Sequence, residues 1–201
     1  MDRKGCWISV LSNRKVLYAN GIYDKVYPAS ITKIMTAMLA LQSGKLNDTV
    51  TITQDNVTLE DGSQVCGFVA GDQVTLDQLL HCLLVYSGND AASAIAEYVG
   101  GSTENFVQMM NAYAAKLGCT GTHFTNPHGL QDENHYTTPY DIYLMLNEAF
   151  TYPEFTEITE LTAYTVTYKA QHGTDATMLT ATDHYLTGEA TAPKRCYDLR
   201  Q

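Results

Sequence analysis

Ser30 and Lys33 stand three residues apart in PASITK, residues 28–33, after a proline and before a long apolar run. A serine hydroxyl is a weak nucleophile until a base takes its proton. A lysine serves as that base when burial or a nearby cation lowers its pKa. Spacing of three on a helix brings the two side chains to one face. A helix N-terminus also offers free backbone N–H groups, which favour developing negative charge. Three requirements of acyl transfer therefore fall within four residues. The same pattern also fits a capping serine followed by a surface lysine, so a second element has to decide.

YSGNDAA supplies it, with Ser87 and Asn89 at a break between two apolar stretches. A short loop pinned between buried helices holds polar groups rigidly. Penicillin-binding proteins and class A β-lactamases combine S-x-x-K with a downstream serine-containing triplet and with K-T-G. The order fits here, with Ser87 57 positions after Ser30.

The surrounding pattern shows what must position these residues. CWISVLSNRKVLYAN reads as two strands around a turn at Ser12-Asn13-Arg14. Ile31, Ile34, Met35, Met38, Leu39 and Leu41 recur at helical spacing, and Gly44 after Ser43 is a stop signal. Ser30 is thus expected at the N-terminus of a buried helix, with Lys33 one turn along it. TVTIT, residues 49–53, reads as a strand. Thr75 and Gln78 form a capping box for a helix apolar on most sides. SGND, residues 87–90, breaks it, and AASAIAEYVGG is a small-residue helix ended by Gly100-Gly101. Ser102 caps the next helix, with Phe106, Met110, Tyr113 and Leu117 on one face and Gly118 at its end. Residues 119–137 read as a loop. Thr138 and Pro139 fit N-cap and N1 of a further helix, and TAYTVTY, residues 162–168, alternates as a strand. The sum is a helix-rich α/β (α+β) protein.

The chain resembles the serine-type D-alanyl-D-alanine carboxypeptidases, the low-molecular-mass penicillin-binding proteins. VLYAN…YPASITKIMTAMLAL, LLVYSGNDAASAIAEYVGGS, FVQMMNAYAAKLGCTGTHFTNPHGL and ENHYTTPYDIYLML carry the resemblance, in the family's order. It implies a β-lactamase/DD-peptidase-like fold, a helical subdomain plus an antiparallel sheet, in one catalytic domain over residues 1–201. It implies a peptidoglycan stem peptide ending in D-Ala-D-Ala as substrate and β-lactam antibiotics as covalent inhibitors. By the same resemblance Ser30 forms the acyl-enzyme, Lys33 accepts its proton, and Ser87 relays a proton to the leaving amine. Asn89 binds the substrate amide and helps hold Lys33. No metal or organic cofactor is implied. The family's K-T-G is absent: Leu186-Thr187-Gly188 lacks the lysine, and Lys194-Arg195-Cys196 lacks threonine and glycine. HYLTGEATAPKR looks like the stretch before K-T-G, and CYDLRQ looks unlike the family. The expectation is a domain cut short before that strand, with impaired turnover. A non-catalytic remnant that binds β-lactams or wall peptides, and an unstable gene fragment, are the alternatives.

Composition narrows the remaining classes. A formal net charge of −10 repels phosphate backbones, so nucleic acid is not an expected partner. No apolar run is long enough to span a membrane, and MDRKGCWISV shows no signal-peptide pattern. The resemblance nonetheless implies work in the extracytoplasmic envelope. Cys6, Cys66, Cys82, Cys119 and Cys196 are odd in number and irregular in spacing, as expected of free thiols. Cys119, His123, His128 and His135 match no short metal-ligand motif. His81 and Cys82 are expected in the core, His172 and His184 on the surface. Asp132 and Glu133 lie in a carboxypeptidase-like context rather than that of a β-lactamase's deacylating glutamate.

Overall fold

The computed structural model describes residues 7–10, 16–170 and 173–180. The chain opens with an antiparallel pair, β1 (Trp7–Val10) and β2 (Val16–Asn20). The turn expected between them, His172, His184, Cys6, Cys196 and the HYLTGEATAPKR and CYDLRQ segments lie outside the described residues.

Four helices form the core: α1 (Lys33–Gln42), α3 (Leu76–Val85), α4 (Asn89–Gly100) and α5 (Thr103–Leu117). Between α1 and α3 come β3 (Thr49–Thr51), the short α2 (Gln54–Val57) and β4 (Gln73–Thr75). Helix α4 lies at the centre and packs against α1, α3 and α5. Its first eight residues are buried, and five of them are alanine or serine. Such small side chains let helix backbones approach closely, while larger neighbours fill the space between. Met35 and Met38 of α1, Leu79, Leu80 and Leu83 of α3, and Phe106 and Met110 of α5 are those neighbours.

The chain continues through α6 (Pro139–Ala149), α7 (Pro153–Thr159), β5 (Ala163–Ala170) and β6 (Gly173–Thr180). An antiparallel sheet runs in the order β3-β4-β5-β6. It rests on α3 through the buried Val166, and Gln78 Nε2 donates to the Thr167 carbonyl at 2.6 Å. Helices plus an antiparallel sheet are the expected fold class.

Several boundaries differ from expectation for local reasons. The strand at 49–53 ends at Thr51, because Thr53 caps α2 in a capping box with Asn56. Only Tyr86, Ser87 and Gly88 break the path from α3 to α4, because Asn89 and Asp90 already belong to α4. Cys82 is fully buried, but His81 is only half-buried: its ring stacks on Tyr164 at 4.3 Å and its Nδ1 meets the Asp77 carbonyl at 2.9 Å. The caps at Thr75, Ser102 and Thr138 each accept the backbone N–H three residues on, as their spacing predicts. Since Thr75 is also the last residue of β4, it joins sheet to helix. Thr75→Ala is expected to lower stability by about 1 kcal/mol, read from a urea denaturation midpoint.

Candidate active site

The α-helix expected to carry Ser30 starts later, at Lys33, and a 3₁₀ turn from Ala29 to Thr32 precedes it. This difference helps the chemistry. Side chains at i and i+3 eclipse one another in a 3₁₀ turn. Lys33 Nζ accordingly lies 3.2 Å from Ser30 Oγ. Ser30 is exposed, whereas Lys33 is only 3 % exposed. Burial lowers the Lys33 pKa to about 8, with the Asp90 carboxylate pulling the other way. Ala29, beside the serine, has φ of +48°, and Ser87 has φ of +63°. Left-handed backbone at a residue with a Cβ is strained, and such strain gathers at functional sites.

The second hydrogen bond of Lys33 Nζ goes to the His128 carbonyl, at 2.8 Å. The loop providing it is held at several points. Thr36 Oγ1 donates to the Pro127 carbonyl at 2.6 Å. Asn126 accepts from Gly129 N–H at 2.6 Å and donates to the Leu130 carbonyl at 3.0 Å. Gly129 has φ of +90°, and a Cβ there would lie 1.9 Å from the Ala29 carbonyl oxygen. Only glycine lets this backbone rest against the turn that carries the serine.

His135 closes the arrangement from below. Its Nδ1 accepts the Thr125 N–H at 3.0 Å, so Nε2 bears the proton and donates to Thr32 Oγ1 at 2.7 Å. Burial pushes both His128 and His135 down to about 4, so both are neutral near pH 7. His123 bonds the Asn134 carbonyl, and the buried Cys119 thiol bonds the Asp141 carbonyl. The His123 and His128 rings thus serve the loop's internal structure, whereas His135 ties the loop to Thr32 and Cys119 ties it to α6. The sequence pattern gave no positioning role to His128 or His135; the three histidines of the loop, His123, His128 and His135, were the available signal.

Ser87 and Asn89 flank Gly88 at the start of α4. Ser87 is half-buried and Asn89 is 6 % exposed. Helix α4 packs on α1, and Asp90 is near enough to act on the Lys33 charge. Among the described residues the Asn89 amide makes no hydrogen bond to Lys33. Asp90 itself was not singled out from the sequence. An exposed serine with a buried amine beside it, on a strained turn, is suited to nucleophilic attack on an acyl group.

A family model described as "D-alanyl-D-alanine carboxypeptidase" matches residues 6–193. The D-alanyl-D-alanine carboxypeptidase DacF of Bacillus subtilis is 39 % identical over 149 residues, covering 72 % of this chain and 38 % of its own. DacC of Escherichia coli is 41 % identical over 150 residues, covering 69 % and 37 %. The chain thus spans less than two fifths of the length of these relatives. Among solved structures, the Streptomyces K15 DD-transpeptidase superposes with a TM-score of 0.85 at 28 % identity, covering 93 % of this chain and 76 % of its own. A D-alanyl-D-alanine carboxypeptidase of Mycobacterium tuberculosis gives 0.80 at 31 % identity, covering 90 % and 67 %.

Gly129→Ala is expected to drive the loop off Lys33 and destabilise the protein by more than about 2 kcal/mol, measured by urea denaturation. Acid sensitivity follows from the two histidines. Their folded pKa values lie near 4 against 6.5 unpaired, so between those values the unfolded chain binds more protons. The thermal midpoint is expected to fall as pH drops from 6.5 to 4, less steeply in His135→Asn.

Proposed function

Since the chain belongs to the D-alanyl-D-alanine carboxypeptidase family, we propose that it forms a Ser30 acyl-enzyme with peptidoglycan stem peptides ending in D-Ala-D-Ala. The observation that carries this is the Lys33 amine, buried and 3.2 Å from an exposed Ser30 hydroxyl. Neutral Lys33 takes the hydroxyl proton as Oγ attacks the carbonyl between the two D-alanines. The tetrahedral intermediate carries a negative oxygen, to which the Ser30 backbone N–H donates as one half of an oxyanion hole. As the C–N bond breaks, the leaving D-alanine amine gains a proton through Ser87. Asn89 hydrogen-bonds the substrate amide. Water then attacks the ester, and Ser30 recovers its proton. A β-lactam meets the same attack, and its opened ring stays on Ser30 as a covalent adduct. No Lys-Thr-Gly occurs in residues 1–201, and no residue is assigned to the substrate carboxylate. A peptidoglycan substrate places the work outside the cytoplasm. Among the described residues no helix is long and apolar enough to cross a membrane.

Labelled penicillin, followed by mass spectrometry, tests the assignment. The adduct is expected on Ser30, and Ser30→Ala is expected to abolish it. An adduct on Ser87 or a cysteine overturns the roles. Lys33→Arg keeps a charge that does not deprotonate, so acylation should vanish while circular dichroism stays unchanged. With the Lys33 pKa at about 8, acylation is expected to fall roughly tenfold per pH unit below that value.

A further inference from the structure

Residues 64–67, outside every helix and strand, run beside the Ser87–Asn89 turn and are bound to it at both ends. Gln64 Nε2 donates to the Tyr86 carbonyl, and the Gln64 carbonyl accepts Asn89 N–H at 2.8 Å. The other two bonds converge on one side chain. Asp90 Oδ1 accepts Cys66 N–H at 2.9 Å, and Oδ2 accepts Gly67 N–H at 3.1 Å. Oδ1 also accepts Ala91 N–H at 2.9 Å, in the first turn of α4, where the helix dipole favours negative charge. Asp90 is 1 % exposed. The contact is close: a Cβ on Gly88 would lie 2.3 Å from Cys66 Sγ.

We propose that Asp90 is a positioning residue: its buried carboxylate clamps the Cys66–Gly67 backbone onto the Ser87–Asn89 turn and holds the polar wall of the acylation site in register with Ser30 and Lys33. The proposal rests on the acyl-enzyme reading above. Ser87 sits in a strained left-handed conformation, which lasts only where its surroundings over-determine it. The Asp90 clamp supplies two of the four hydrogen bonds that join the 64–67 segment to this turn. The same carboxylate acts on Lys33. The titratable groups around the Lys33 amine are Asp90 from α4, the Cys66 thiol from the clamped segment and the His128 imidazole from the opposite loop. The thiol is held neutral by its contact with Cys82 and by burial, and burial keeps the imidazole neutral. Asp90 is therefore the charge that favours the Lys33 ammonium.

Geometry and charge separate in two variants. Asp90→Asn keeps the shape but loses the charge, and its NH₂ faces a backbone donor. Its plateau rate of penicillin acylation is expected to fall roughly 10²-fold, the scale of a small misplacement of reacting groups. The acid limb of its pH profile is expected to move to lower pH, because Lys33 then loses its proton more readily. Asp90→Glu keeps the charge but displaces it, so its plateau should fall with the limb unmoved. A wild-type plateau and limb in folded Asp90→Asn overturn the proposal, as does a lower stability with both unchanged. Amide exchange of Cys66 and Gly67, followed by NMR in the full chain, needs no activity. At least tenfold faster exchange in either variant supports the clamp, and unchanged exchange in both overturns it. Failure of the wild-type protein to acylate would count against the acyl-enzyme reading and leave the exchange result standing on its own.

Discussion

The site depends on keeping an amine out of water. Lys33 begins α1 inside a helical core, and its nitrogen meets one hydroxyl and one carbonyl. Desolvation penalises the ammonium, so the pKa falls to about 8. A carbonyl and a serine oxygen satisfy the nitrogen without adding a formal charge. A carboxylate in direct contact would have held the proton on and removed the base. Asp90 is near enough to moderate the effect, but its own oxygens are engaged by three backbone N–H groups.

Two loops lie close to that amine. The 125–130 loop brings the His128 carbonyl to the amine and is fixed by Asn126, Thr36 and the contact of Gly129 with Ala29. The 64–67 segment closes on the start of α4. Both loops lean on strained residues, Ala29 beside Ser30 and Ser87 in the turn. The core beneath makes the strain tolerable. Alanine-rich α4 lets α1, α3 and α5 approach closely, and a close-packed interior transmits a fixed geometry to the loops above it.

Much of this was legible in the sequence because it is local. The Ser30–Lys33 spacing, the Thr75–Gln78 capping box, the Ser102 and Thr138 caps and the glycine stops involve residues within a turn of each other. Their side-chain types disclose the role. Long periodic stretches such as 103–117 fell into place for the same reason. The short elements α2, β4 and α7 did not, because three to seven residues carry too little periodicity to stand out from a polar loop.

The sequence alone singled out Ser30 as a candidate nucleophile, Lys33 as its candidate base and the motif order that marks the family. It did not determine the environment of the base. The His128 group that holds Lys33 is a backbone carbonyl, which every residue type possesses, so its identity gives no signal. It lies 95 positions from Lys33 along the chain. The 3₁₀ turn that carries Ser30 likewise rests, at Ala29, against Gly129, a hundred positions away. Spacing along a chain encodes which side chains share a turn. Only the tertiary structure decides which of them lose water, and that loss is what turns a lysine into a base.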